Sequence, residues 1–202
     1  MQLWLGEAAL ILASRSRARH AVLSAAGIPH TVEPADIHER AIEARAETSD
    51  GAEVSRLLAR EKSLAVSGHN PGCFVLGADQ TLTLGERRFS KPADQLMARK
   101  QLACLRGLTH ELHSGIAVAR DGAVLFEHGE RARLTMRDFS DTFLEAYLAT
   151  VGTAATTSVG GYQLEGVGIQ LFERIEGDHF NILGLPLLPL LTFLRRQGLL
   201  SA

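Results

Sequence analysis

The apolar positions fall into short runs separated by charged or glycine-rich stretches. Residues 8–13 (AALILA) end at Ser14, the pattern of a buried strand. A helix is predicted from about 16 to 26, stopped by Gly27, with Pro29 preventing a restart. Residues 30–33 read as a second strand. Residues 39–50 are charged and alanine-rich, and read as loop or helix. Within 53–67, the spacing of Val54, Leu57, Leu58, Leu64 and Ala65 marks one apolar helix face. GHNPG at 68–72 is a loop by composition. CFVLGA at 73–78 then predicts a buried strand with Asp79 at its end, and 81–84 a further strand after a kink.

The second half predicts a helix at 93–106 with Gly107 as its stop. Three strands follow at 113–119, 123–128 and 131–137, with Asp121-Gly122 as a hairpin turn. Ser140 caps a helix carrying Phe143 and Tyr147. Residues 152–168 are rich in glycine and threonine and read as loop, and 170–175 as a strand. Pro186 sits in the first turn of a last helix with Leu187, Leu190, Leu191 and Leu194 on its apolar face. Strands and helices interleave without repeats. The expected fold is α/β: one domain over 1–202, with a mixed, twisted sheet flanked by helices.

Composition narrows the function. The 202 residues are 46% hydrophobic and 22% charged, enough for one sizeable core. The net charge of −2 gives no global field to recruit nucleic acid or an anionic membrane. Any polyanion site must be local. The apolar run at 182–194 is broken by Gly184, Pro186 and Pro189, and a bilayer span needs about 20 residues. The N-terminus is apolar but carries Glu7 and lacks a basic flank, so no signal peptide is read there. Cys73 and Cys104 have mostly apolar sequence neighbours and read as two buried free thiols. A cytoplasmic location is the expectation.

Four constellations carry candidate chemistry. Ser14 closes a strand and Ser16 opens a helix, with Arg15, Arg17 and Arg19 nearby. Helix-start N–H groups and guanidinium forks both favour phosphate, although serine capping alone also explains the pattern. Asp79, at a strand end in GADQT, suits a metal ligand or water-orienting group, or a plain turn aspartate. Lys91 precedes Pro92, a proline able to open the next helix at its first position. It is a phosphate donor or an exposed loop lysine. Glu165 lies in the glycine-rich run 160–180 and either accepts from a base edge or is simply solvated. Together the four suit a polyphosphate, a metal ion and a recognised head group.

The ordered series LILAS-S (10–16), GADQ (77–80), KP (91–92), RGLTHELHSGIAV (106–118), YQLEG (162–166) and GLPL (184–187) resembles the Maf family of nucleoside triphosphate pyrophosphatases across nearly the whole chain. The resemblance implies hydrolysis of a nucleoside triphosphate to monophosphate and pyrophosphate, and carboxylate candidates without a Cys/His cluster favour Mg²⁺ or Mn²⁺ over zinc as the metal. It implies Asp79 as the catalytic aspartate and Glu39 as an active-site acid, the two of which would hold the metal or activate water. It places Ser14, Ser16 and Arg19 at the phosphate grip, Lys62 and Lys91 as phosphate-binding lysines, and Gln80 and Glu165 at base selection. The Gln80 and Glu165 pair is similar to the subgroup acting on N7-methyl-GTP. This chain departs where the family reads S-P-R-R and D-E: it has Ser16-Arg17-Ala18-Arg19-His20 and His38-Glu39. A homodimer is compatible with this reading. The rivals are a nucleotide-binding regulator of cell division without turnover, and a phosphatase releasing orthophosphate.

Overall fold

A computed structural model describes residues 2–46 and 48–201. The strands are β1 (Leu10–Leu12), β2 (His30–Val32), β3 (Val75–Leu84), β4 (Arg87–Phe89), β5 (Thr109–Arg120), β6 (Ala123–Met136) and β7 (Phe172–Glu176). The helices are α1 (Arg17–Ala25), α2 (Glu39–Arg45), α3 (Gly51–Ser67), α4 (Gln95–Leu105), α5 (Asp141–Val151), α6 (His179–Ile182) and α7 (Leu187–Arg196). The strands join in the order β2-β1-β3-β5-β6-β7, with β4 paired to β3. β1 is parallel to both β2 and β3, while β4 and β7 run antiparallel to their partners. The sheet is therefore mixed, as expected. Among the described residues no helix is long and apolar enough to cross a membrane.

The chain forms two compact units, each built from separate stretches. The first comprises 1–80, 114–130 and 178–202; the second comprises 81–113 and 131–177. In the first unit, Leu10 and Leu12 of β1, Leu76 of β3 and Ile116 of β5 pack with Leu23 of α1 and Leu190 and Leu194 of α7. Every residue of β1 is buried, as a parallel strand covered on both faces requires. In the second unit, α4 packs on α5 and on the 3₁₀ segments at 152–156 and 159–161.

Several local signals are borne out. Ser16 caps α1, Gly27 adopts φ +67 beyond its end, and Ser140 caps α5 by accepting from Phe143 N. Asp121 and Gly122 have φ of 52 and 75, the left-handed pair of a type I′ hairpin.

Other expectations are corrected. Residues 75–84 form one continuous strand, so Asp79 lies inside β3 rather than at its end. Thr81, Leu82 and Thr83 remain buried and strand-compatible, so nothing breaks the run. Residues 109–120 and 123–136 make two long strands where three were expected. α4 begins at Gln95 behind the Asp94 cap, so Pro92 does not open it and Lys91 precedes it by a short irregular stretch. The region 152–168 contains 3₁₀ turns. Both cysteines are half-buried. Residues 39–45 are helical, and Glu47 lies outside the described residues. β4 and α6 were too short to carry a periodic signal.

The second unit also contains a fully buried histidine, His110, 2.7 Å from the Tyr162 hydroxyl through Nε2. Burial lowers its pKa to about 4 from the ordinary 6.5. Between those values the unfolded chain binds the extra proton and the folded chain does not, so stability is lost as pH falls. A shift of that size corresponds to about 3 kcal/mol. Denaturant unfolding of the wild type should lose about 3 kcal/mol more than His110→Gln between pH 6.5 and 4. Parallel pH profiles for the two proteins would remove His110 as the cause.

Candidate active site

The site begins with a close approach between a helix and a strand. A Cβ added at Gly77 of β3 would stand 2.0 Å from Ala59 O and 2.7 Å from Ser63 N of α3. A Cβ at Gly115 of β5 would meet Ser55 C and O at 2.5 Å. Both glycines therefore let α3 lie directly on the sheet backbone. Ala59 and Ser63 flank Lys62 on α3, and Asp79 follows Gly77 by one residue of the same side-chain alternation. The contact thus sets the lysine beside the aspartate.

Lys62 Nζ donates to Asp79 Oδ1 at 2.7 Å and stands 2.7 Å from Glu39 Oε1. The Lys62 and Asp79 side chains are 10% and 12% exposed, whereas Glu39 is 48% exposed. This is a nearly dry ion pair with a second, solvent-facing carboxylate on the same lysine. Glu39 is the first residue of α2, where the helix dipole favours a negative charge. Asp79 lies three residues beyond Leu76, the last β3 residue paired with β1 in the parallel register. It is inside its own strand yet past the carboxyl end of its parallel neighbour. That is where α/β sheets place ligands, so the positional argument survives the corrected strand boundary.

Burial raises the Asp79 pKa above the ordinary carboxylate value. Lys62 and Arg19 pull it back down, and Glu39 pushes it up. Arg19 is lowered by burial, against the opposing pull of Asp79 and Glu39. Arg19 donates through Nε to Gly184 O at 2.7 Å, and through Nη1 to Ser14 Oγ and Ala78 O, both at 2.9 Å. The guanidinium therefore pins the end of β1, the carbonyl before Asp79 and the GLPL run together. Ser14 Oγ also accepts from Ser16 N, and Ser16 Oγ accepts from Arg19 N as the α1 cap. The serines are thus already engaged in the strand-to-helix turn. Arg17 is exposed, and His20, also exposed, turns to His30.

Gln80 is tied as firmly. Its Nε2 lies 3.0 Å from Ser114 Oγ, 3.1 Å from Asn181 O and 3.1 Å from Ile182 O. Two amide hydrogens face three acceptors, so the donor end is saturated by the protein. Ser114 Oγ also donates to Asn181 O at 2.8 Å. Ser114 and Asn181 were not singled out from sequence, although both lie in or beside quoted motif runs. Their role is carried by a backbone carbonyl and a hydroxyl, which leave no compositional mark. Lys91 and Glu165 are exposed residues of the second unit. Ser14, Arg19, Glu39, Lys62, Asp79 and Gln80 are brought together in the first.

Among the described residues no three or more His, Cys, Asp or Glu side chains cluster as a metal centre. A protein-only cage is therefore not formed there. The two carboxylates sharing Lys62 do fit a hard cation that takes one or two carboxylates and completes its shell with phosphate oxygens and water.

Residues 9–197 match the family described as Maf-like protein, and the chain belongs to that family. It is 57% identical over 201 residues, the whole of both chains, to a nucleoside triphosphate pyrophosphatase of Rhodopseudomonas palustris (strain HaA2). A protein of the same name from Bradyrhizobium diazoefficiens is 56% identical over the same full length. A 7-methyl-GTP pyrophosphatase of Brucella abortus is 50% identical over 93% of this chain and 96% of that one.

Gly77→Ala tests the close approach. The added methyl meets backbone, which cannot rotate away, so overpacking of about 1–3 kcal/mol or more is expected, with α3 displaced and turnover lost. At Gly68 the nearest atom to an added Cβ is 3.7 Å away, so Gly68→Ala should change Tm little. Equal Tm and activity in both variants would contradict the packing argument.

Proposed function

We propose that this protein hydrolyses a nucleoside triphosphate between the α and β phosphates, yielding the monophosphate and pyrophosphate. The observation that carries the reading is the dry Lys62–Asp79 pair with Glu39 at its rim. Full-length identity to relatives named for this activity supports it. The reading takes 1–202 as one catalytic domain, because neither compact unit is a continuous segment.

A triphosphate carries about four negative charges that must be neutralised before water can attack phosphorus. Asp79 and Glu39 would hold a divalent cation, Mg²⁺ or Mn²⁺, which supplies charge neutralisation and polarisation of the phosphoryl group. Asp79, desolvated and raised in pKa, is suited to orient and deprotonate the attacking water. Lys62 holds the ionised form of Asp79 and presents its charge to the phosphates. Arg19, with Nε and Nη1 occupied by the protein, acts chiefly as a fixed positive charge and as the brace of the Ser14 turn. Lys91 is assigned to the leaving pyrophosphate as a point charge.

The head group is assigned to a modified guanine, and its reader to Glu165. An ionised carboxylate only accepts hydrogen bonds. The N1–H and N2–H of guanine present two adjacent donors. Uracil and thymine present one donor flanked by oxygens. N7-methylation adds positive charge that a carboxylate attracts. Gln80, its donor end committed to Ser114, Asn181 and Ile182, offers the base only its amide oxygen.

Product analysis on a triphosphate panel with Mg²⁺ tests the reaction. Monophosphate and pyrophosphate are expected; orthophosphate as the product, or no turnover, would overturn it. Asp79→Asn should cost at least about 10²-fold in kcat with the fold intact. Activity within about threefold of wild type would remove Asp79 from the chemistry. Excess EDTA should abolish turnover. N7-methyl-GTP should be preferred over UTP and dTTP, and Glu165→Gln should narrow that preference. A wild-type kcat/KM for UTP equal to that for guanosine substrates would refute the assignment of the base reader.

A further inference from the structure

We propose that His20 and His30 form a second cation site, for a divalent transition metal of the zinc, nickel or copper type. It is separate from the carboxylate pair, and its test does not depend on the proposed hydrolysis. His20 Nδ1 and His30 Nε2 stand 2.6 Å apart, with the rings at an interplanar angle of 66°. His20 lies on α1 and His30 opens β2, so the two rings join separate segments of the fold. His20 is exposed and His30 half-buried.

The second observation concerns the far side of His30. Its Nδ1 lies 2.8 Å from Ile28 O. A carbonyl only accepts, so Nδ1 carries a proton, and in the neutral ring Nε2 then holds a lone pair directed at His20. A backbone carbonyl fixing one ring nitrogen while the other is left basic is the usual support of a metal-binding histidine. Imidazole nitrogens suit zinc, copper and nickel, whereas magnesium prefers oxygen. The histidine pair and the carboxylate pair therefore select different metals.

The proton bookkeeping closes. Without metal, His20 Nδ1–H donates to His30 Nε2. On binding, the proton leaves His20 Nδ1 and a proton from water occupies His20 Nε2. Both rings remain neutral and two lone pairs face the cation. Two nitrogens about 2.0–2.1 Å from one tetrahedral Zn²⁺ stand about 3.3 Å apart, so the 2.6 Å pair must open by about 0.7 Å. His20, exposed on α1, must also turn its Nδ1 toward the ion, while His30 stays anchored to Ile28 O. Two protein ligands leave the remaining positions to water, which makes the ion exchangeable. The bound ion would clamp α1 to β2, and α1 carries Arg19 one residue before His20.

Zn²⁺ titration of the full chain in excess Mg²⁺ tests the site, read by long-range ¹H–¹⁵N spectra of the histidine rings and by Tm. The expected result is one saturable site that shifts His20 Nδ1 and His30 Nε2 and raises Tm, because folding is what brings the two rings together. His20→Asn and His30→Asn should each weaken binding by at least about tenfold. His20→Gln, an exposed helical change, serves as a second variant should His20→Asn fold poorly. Unchanged affinity in either position's variants, or ring shifts confined to other histidines, would overturn the proposal.

Discussion

The candidate site depends on one steric constraint, the contact of α3 with the sheet at Gly77 and Gly115. A helix normally stands off a sheet by the thickness of its side chains. Here the backbone of α3 meets positions where any Cβ would collide with main-chain atoms. Lys62 is thereby carried to a strand residue in a dry interior. The pair then answers the question of why an aspartate interrupts a buried strand. Asp79 is costly where it lies, and Lys62 offsets that cost. A buried pair contributes little net stability, and breaking it leaves an uncompensated charge. Its retention therefore fits chemistry better than folding.

Around this pair the other polar groups are arranged as braces. Arg19 ties the β1–α1 turn to the carbonyl before Asp79. Gln80 ties the residue after it to β5 and α6. Asp79 is thus held from both sides along its own strand, with burial raising its pKa and Lys62 and Arg19 opposing that rise. In the proposed reaction, a carboxylate so fixed and so dry would need no reorganisation as charge develops at the phosphorus.

Much of this was legible in the sequence, and the exceptions have a common cause. Caps and turns were readable because Ser16, Gly27, Ser140 and Asp121-Gly122 act on backbone within a few residues. The grouping of Glu39, Lys62 and Asp79 was readable only through the family resemblance, since the three lie far apart in sequence. The continuity of β3 was not readable, because an aspartate and a glutamine look like a strand's end until Lys62 and α6 supply their partners. The same holds for Gln80 and Arg19, whose hydrogen-bond partners are backbone carbonyls of distant segments. His20 stood out only as a departure from the family motif, and its hydrogen-bond partner, His30, is set by the packing of α1 beside β2.

The central claim is that Lys62 and Asp79 act as one unit. A double-mutant cycle on kcat/KM tests it most directly, using Asp79→Asn, Lys62→Met and both together. Residues acting as a unit are strongly non-additive. The account predicts that the double variant falls within about threefold of the worse single variant. Losses that multiply would show two independent contributions and contradict it.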